Sequence, residues 1–368
     1  MRSSLALCLV LLLAHVSQAA PRVETIADGL EFPWSIAFLP DDTMLLTERS
    51  GRLRVLRDGN LLPDAVAGVP EVLVGGQGGL LDVVPDPAFA ENRTIYLSFS
   101  FGTTGRNAIR VVSARFDGAS LSDLRVVFTA SPFKKGMNHY GGRMAFLPDG
   151  TLLLTTGEGF DYRESAQRLD SHLGKTIRIN PDGSVPPDNP FVDQDGALPE
   201  IFTYGHRNPQ AILVSPADGS IFQHEHGPRG GDELNRIVAG HNYGWPVITY
   251  GRDYSGARIS PFEAYPGMEQ PLLNWTPSIA PAGMTLYDGA LFPEWRGDLF
   301  VAALAERSIR RIDLENGAVV GQEVLFGDLG ERMRDIRTGP DGALYVLTDS
   351  ASGRILRIVP DTPQPQAR

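Results

Sequence analysis

Residues 143–159 read RMAFLPDGTLLLTTGEG. An apolar run reaches a Pro-Asp-Gly turn, a second apolar run leaves it, and a glycine-flanked carboxylate, Glu158, follows. Asp-Gly supplies the positive φ of a tight hairpin turn, and the flanking runs have strand composition, so the stretch reads as two antiparallel strands. The pattern recurs. SIAFLPDDTMLLTERSGRLRVLRDG starts at Ser35, LLDVVPDPAFAENRTIYLSFS at Leu80, AILVSPADGSIFQHEHG at Ala211, GMTLYDGALFPEWRGDLFVAALAERSIRRIDLENG at Gly283, and IRTGPDGALYVLTDSASGRILRIVPD at Ile336. With the opening stretch these make six units, spaced as four-stranded blades with variable insertions are spaced. The fold expected is all-β: a six-bladed β-propeller of four-stranded antiparallel blades.

A ring of blades has to close. RVETIADGL, from Arg22, has no partner of its own and is expected to complete the sheet begun by the last C-terminal strands, leaving no free edge. Long insertions at Gly159 to Asp170, Ile179 to Ile201 and Asn242 to Pro271 are expected to gather on one face. The tail TPQPQAR reads as frayed, so residues 21–360 form the domain and 361–368 a flexible end.

Residues 1–20, MRSSLALCLVLLLAHVSQAA, carry Arg2, a short apolar run and small residues at the end, the three-part form of a secretory signal cleaved near Ala19 or Ala20. The run is too short to span a bilayer. A periplasmic or secreted location is expected, with no membrane span. The only cysteine, Cys8, leaves with the signal, so a large packed core has to stabilise the chain without disulfides. A net charge of −11 disfavours nucleic acid as a partner.

The chemistry-bearing residues fall at strand ends and in insertions. His139, in MNHYGGRMAF, precedes the first strand of the third repeat, where a side chain points towards the central opening. An imidazole there is a candidate general base, with Glu158 as its orienting partner; a hydrogen-bonded loop histidine and a surface carboxylate are the alternatives. Arg207 and Asn208 precede the fourth repeat, and Arg332, Arg334 and Arg337 surround the start of the sixth. Arginines converging from different blades of an acidic protein suit a ligand with several carboxylates. EHGPRGGDELN, at 225–235, reads either as a loop offering carboxylates and bare carbonyls to a hard cation or as a turn rich in Gly and Pro for conformational reasons. The histidine spacing matches no zinc motif.

Seven segments in register, GGQGGLLDVVPDPAF (75–89), NHYGGRMAF (138–146), GKTIRINPDGSVPPDNPF (174–191), YGHRNPQ (204–210), EHGPRGGDELN (225–235), NYGWP (242–246) and ERMRDIR (331–337), resemble the soluble aldose sugar dehydrogenases, relatives of soluble quinoprotein glucose dehydrogenase. The resemblance implies pyrroloquinoline quinone (PQQ) and Ca²⁺ as cofactors, an aldose substrate oxidised at the anomeric carbon to the lactone, and an external electron acceptor. It implies His139 as the base, with Glu158 and Arg207 completing the catalytic set. Cofactor contacts map to Gln77, Arg207, Asn208, Gly227, Pro228, Asp232, Tyr254, Ala305, Glu306, Arg307, Arg332 and Arg334. Calcium ligands map to the Gly227 and Pro228 carbonyls, and those of a second, structural calcium to Glu233 and Tyr243. Asn138 and His226 depart from the glucose dehydrogenase branch, as does Ala305 where that branch has a lysine; Arg307 is read as replacing its charge. The rival readings are a calcium-dependent lactonase, which needs no arginine cluster, and a non-catalytic binding propeller, for which PQQ, calcium and aldose would give no spectral change.

Overall fold

The computed structural model describes residues 20–361. It holds six four-stranded antiparallel sheets arranged as the blades of a β-propeller. The inner strand of blade 1 is Pro33–Phe38, of blade 2 Leu80–Pro85, of blade 3 Gly141–Phe146, of blade 4 Pro209–Val214, of blade 5 Pro281–Leu286 and of blade 6 Met333–Thr338. Each starts at or within a few residues of one of the six sequence repeats. The expected closure is present: Pro21–Leu30 pairs antiparallel with Gly353–Pro360, Arg22 opposite Val359, and becomes the outer strand of blade 6.

The second strands Met44–Glu48, Leu152–Thr156, Leu299–Ala303 and Leu344–Thr348 are buried at every position. Such a strand sits between neighbouring blades and meets apolar surface on both faces, which is why its sequence is a continuous apolar run and does not alternate. Packing between blades supplies the core. Tyr287, Phe292, Trp295 and Phe300 of blade 5 join Ile336, Leu344 and Val346 of blade 6 in one buried cluster, each large side chain contributing about 1.5–3 kcal/mol. In the opening stretch, the Leu147 N–H donates to the Thr151 carbonyl (2.8 Å), and Gly150 takes φ +83°.

A buried ion cluster closes the hub. The Arg143 guanidinium lies 3.1 Å from Asp335 and 3.5 Å from Asp82, and stacks 3.9 Å from the Trp34 ring. It also donates to the main-chain carbonyls of Gln210 (3.0 Å) and Trp34 (3.2 Å). Contacts to four blades from one side chain tie the inner strands together.

The insertions do not all gather on one face. Residues 157–174 and 238–272 meet: Phe160 stacks on Tyr254 at 6.3 Å, Arg163 pairs with Asp253 at 3.4 Å, and Gln167 binds Asn242. Residues 180–200 leave the opposite end. Lys175 is paired with Thr156 at the Glu158 end, and Ile179 with Leu152 at the other. Antiparallel strands reverse at each turn, so consecutive connections alternate ends whatever their length. The 238–272 segment also starts at that far end, after Ile237, and reaches the Glu158 end only because it is long enough to run back along its blade.

The secretory signal expected at 1–20 lies almost wholly outside the described residues, as do residues 362–368 of the tail.

Candidate active site

At the Glu158 end of the hub lies a cavity of about 530 Å³. Its wall is made by equivalent residues of successive blades. Phe32, Tyr140, Ala280 and Arg332 stand immediately before an inner strand; Arg49, His226, Leu304 and Asp349 stand immediately after a second strand. Gln77, Gly141, Trp34, Gln210 and Arg334 complete the wall and floor.

His139 and Glu158 are brought together beside this cavity. His139 Nδ1 is 3.1 Å from Glu158 Oε1, with both side chains buried. The His139 backbone is held in the left-handed region at φ +50°, a conformation that costs a non-glycine residue about 1–2 kcal/mol. Its N–H donates to Gln77 Oε1 (2.8 Å), and Gly157 lets the strand bearing Glu158 come so close that a Cβ there would lie 2.3 Å from the His139 carbonyl oxygen. Burial, with Arg207 adding to it against the Glu158 hydrogen bond, pushes the His139 imidazole below its ordinary value, so the ring is neutral at physiological pH. With Nδ1–H given to the carboxylate, the Nε2 lone pair is left for an incoming proton.

Arg207 and Asn208 flank the pair. Arg207 Nη1 donates to the carbonyls of Gly227 (2.6 Å) and His226 (3.1 Å), and Nη2 is 3.5 Å from the Tyr254 hydroxyl. Asn208 Oδ1 accepts from the Gly141 N–H (3.3 Å), and its amide reaches Gln77. Arg332 bonds Asp349 Oδ2 (2.9 Å) and the Leu304 carbonyl, and Arg334 lies 3.4 Å from the same carboxylate. Although burial opposes it, Arg334 and then Arg332 hold the Asp349 carboxyl below its ordinary value. Three wall guanidiniums, Arg49, Arg332 and Arg334, face one wall carboxylate, so the cavity is cationic inside an acidic protein.

Several residues expected at the cofactor do not line the cavity. Glu306 is bound by Ser308 and by the Arg310 guanidinium (2.8 Å), along its own blade. Arg307 is exposed and reaches the Gly330 carbonyl (3.1 Å). Ala305 sits on the exposed rim, and its neighbour Leu304 lines the wall. The segment leaves the cavity one residue earlier than the sequence reading assumed, because the second strand ends at Ala303 and the chain turns outwards. Asp232 is buried and accepts from the Gly227 N–H (2.9 Å), Ser278 (2.6 Å) and the Ala280 N–H (2.9 Å), so it shapes the 225–235 loop from behind. Tyr254 stands at the mouth, 59% exposed.

Glu225, Gly227, Glu233 and Tyr243 line a second, small cavity of about 10 Å³ next to Arg207. Burial first and Glu225 second hold the Glu233 carboxyl above its ordinary value. The Tyr243 hydroxyl is already used, donating to the Arg236 carbonyl (2.8 Å), which leaves its main chain as the group to offer an ion. Among the described residues no three His, Cys, Asp or Glu side chains converge, so a cation here would rely on carbonyl oxygens, as calcium sites readily do.

Sequence reading missed Arg49, Asp349, Trp34, Phe160 and the hub role of Arg143. The repeat register held the signal for the first two: Arg49 and Asp349 follow Glu48 and Thr348 as His226 follows Glu225.

The family model described as Glucose / Sorbosone dehydrogenase matches residues 30–357. The aldose sugar dehydrogenase of Escherichia coli is 42% identical over 98% of this chain and 99% of its own length. Its apo-form crystal structure superposes with a TM-score of 0.90, at 41% identity over 93% of this chain and all of that one. Quinoprotein glucose dehydrogenase B of Acinetobacter calcoaceticus is 27% identical, covering 89% of this chain and 85% of its own. The PQQ-bound aldose sugar dehydrogenase of Streptomyces coelicolor superposes with a TM-score of 0.75, at 27% identity over 92% and 99% of the two chains.

Proposed function

The chain belongs to the glucose and sorbosone dehydrogenase family, and from that premise we propose that it oxidises aldose sugars at the anomeric carbon to the lactone, with PQQ and calcium as cofactors. One observation carries the reading: a buried imidazole, His139, hydrogen-bonded to the Glu158 carboxylate stands beside a cavity whose wall carries an excess of guanidinium charge.

The residues fit such a cofactor. PQQ is a planar tricarboxylate, and the cavity opposes Arg49, Arg332 and Arg334 to Asp349 alone. Buried polar atoms there make no hydrogen bond within the chain: Arg207 Nε, Arg334 Nε, Glu158 Oε2 and Asp349 Oδ1. Buried polar groups left so are expected to find partners in a ligand or water. Arg332, Arg334, Gln77 and Asn208 are the residues assigned to hold the cofactor, with the Gly227 and Pro228 carbonyls assigned to a calcium ion. In the structure a cation already occupies the Gly227 carbonyl, the Arg207 guanidinium at 2.6 Å. When bound, PQQ supplies the hydride acceptor that no side chain can be, and calcium supplies Lewis acidity.

The chain's own part is proton transfer and orientation. His139 Nε2 takes the proton of the anomeric hydroxyl as the C–H bond is broken. Glu158 fixes the tautomer and stabilises the imidazolium that forms. Arg207, anchored by two carbonyls, brings fixed positive charge to the same end of the cavity, where it needs no reorganisation during reaction. An external acceptor would be needed to return the bound cofactor to its oxidised form after each turnover. The sequence of residues 1–20 supports export, which places that acceptor outside the cytoplasm. Reconstituting purified protein with calcium and PQQ, then supplying aldoses and an artificial acceptor, tests the reading. Lactone formation dependent on both additions is expected, and none with any aldose would overturn it.

A further inference from the structure

The 225–235 loop carries an arginine that its calcium and cofactor assignments leave unused. Arg229 pairs antiparallel with Arg252, and Arg252 pairs antiparallel with Arg258, so the three arginines stand side by side across a short ribbon. The Arg229 N–H donates to the Arg252 carbonyl (2.8 Å), and the Arg252 N–H to the Arg229 carbonyl (3.2 Å). The Asp253 N–H, donating to the Ala257 carbonyl (3.0 Å), closes the hairpin that holds the other two. Side chains directly opposed across antiparallel strands share a face, with Cβ atoms about 4.5–5.5 Å apart, and like charges so placed repel. All three arginines are exposed, and among the described residues their guanidiniums make no ion pair and no hydrogen bond. Asp253, the neighbour of Arg252 in the chain, is engaged by Arg163 (3.4 Å) and Ser255 (2.8 Å) instead.

The ribbon is a fixed platform. Glycines let its backbones touch: a Cβ on Gly251 would lie 2.3 Å from the Gly230 carbonyl oxygen, and one on Gly231 would lie 2.6 Å from the Gly251 nitrogen. Tyr254, in the turn of the hairpin, has its hydroxyl 3.5 Å from Arg207 and stacks on Phe160, whose ring lies 5.1 Å from that of His139. The arginine row is therefore part of the cavity rim, beside two exposed rings that lead to the base. Aromatic residues and arginine are enriched where proteins dock, and a cationic edge steers an anionic partner. The rest of a chain with a net charge of −11 repels such a partner.

We propose that Arg229, Arg252 and Arg258 are the docking edge for an acidic electron-carrier protein, which seats over Tyr254 and Phe160 at the mouth of the cavity. The proposal rests on the reading of that cavity as a site of aldose oxidation, and it gives the acceptor a charge and a place. Conversion of an aldose to its lactone removes two electrons and two protons. Two one-electron carriers are reduced in succession for each lactone formed, and the two protons go to water.

The probes are a basic cytochrome c and the same cytochrome after succinylation of its lysines, which makes it acidic. With the reconstituted enzyme and an aldose, the succinylated form is expected to be reduced with the higher kcat/KM at low ionic strength. That advantage is expected to vanish at about 1 M salt, where charges are screened beyond about 3 Å. Arg252→Glu and Arg258→Glu are each expected to lower kcat/KM for the succinylated cytochrome roughly tenfold, while aldose oxidation by benzoquinone is unchanged. Arg115→Glu, the same charge change at the opposite end of the propeller, is expected to leave both rates unchanged. A second readout needs no turnover: calorimetric titration of the cofactor-free protein with succinylated cytochrome is expected to show binding that Arg252→Glu weakens about tenfold. No preference for the succinylated form, with both variants like the parent, would overturn the docking edge and leave the aldose reading standing, since benzoquinone is still reduced. Unchanged cytochrome kinetics, with kcat/KM for glucuronate lowered relative to glucose in both variants, would assign the row to an acidic sugar and overturn the proposal. Unchanged cytochrome kinetics, with loss of binding to phosphatidylglycerol vesicles, would assign it to a membrane surface and overturn the proposal as well. Failure to oxidise any aldose with any acceptor, with succinylated cytochrome still bound through the row, would instead strike the function proposed above.

Discussion

Glu225 and Glu233 are directly opposed on adjacent antiparallel strands of blade 4, and both line the small cavity beside Arg207. Two carboxylates so placed repel unless a proton or a cation joins them, and Glu225 is already committed to His206 Nδ1 (2.8 Å) and the Arg207 N–H. Calcium is therefore expected to raise the melting temperature. At a hundredfold excess over Kd the stabilisation is about 2.7 kcal/mol, or several degrees in a protein of this size. Glu233→Gln should abolish the difference between calcium and EDTA. Equal melting of the parent protein in both would contradict the site.

His224 is fully buried, and burial, followed by the charge of Arg143, pushes its value down to about 3. The unfolded chain takes up this proton first. Stability from the neutral ring is thus complete above about pH 6.5 and is lost as pH falls towards 3, by about 1.4 kcal/mol per pH unit. Denaturant unfolding at pH 7, 6 and 5 should show that slope reduced by this amount in His224→Leu. An unaltered slope would mean that the ring is not protonated on unfolding.

Lys175 Nζ, fully buried, donates to the carbonyls of Ser165 (2.8 Å), Ala166 (3.0 Å) and Leu173 (2.7 Å). It thereby staples the 157–174 insertion, whose first turn carries Glu158. Lys175→Met leaves those carbonyls without their donor, at a cost of about 3 kcal/mol or more. A lower melting temperature and reduced turnover are expected together. Turnover unchanged in a destabilised protein would show that Glu158 is held without the staple.

Arg334 and Arg307 are separated by their positions. Arg334 is buried against the cavity, whereas Arg307 is exposed at the rim. Arg334→Met should weaken PQQ binding, measured by titration of the apoprotein, by about tenfold or more, the value of a charge-assisted hydrogen bond. Arg307→Met should leave it unchanged. The reverse order would restore the role assigned to Arg307 from sequence.

The propeller was legible because its signal is repeated: six Asp-containing turns between apolar runs leave few other folds, and the closing strand follows from the need to pair an edge. The gathering of His139, Glu158, Arg207, Asn208, Arg332 and Arg334 at one end of the hub was legible because each stands near the end of a strand that the repeats locate. Glu306 and Arg307 were assigned by the same logic but do not line the cavity, since their segment turns outwards after Leu304 and no local pattern marks that turn. The 179–201 insertion went astray because length says nothing of which end of a blade a connection leaves. Phe160 escaped notice because only the fold carries it to Tyr254, 94 positions further along the chain.

Everything proposed for catalysis depends on His139 accepting the substrate proton. The direct measurement is the rate at which glucose reduces the bound cofactor in a single turnover, compared between the parent protein and His139→Ala, after titration has established that both bind PQQ and calcium equally. The expected result is intact cofactor binding with reduction slowed by roughly 10²–10⁴-fold. Reduction at the parental rate in His139→Ala would contradict the account.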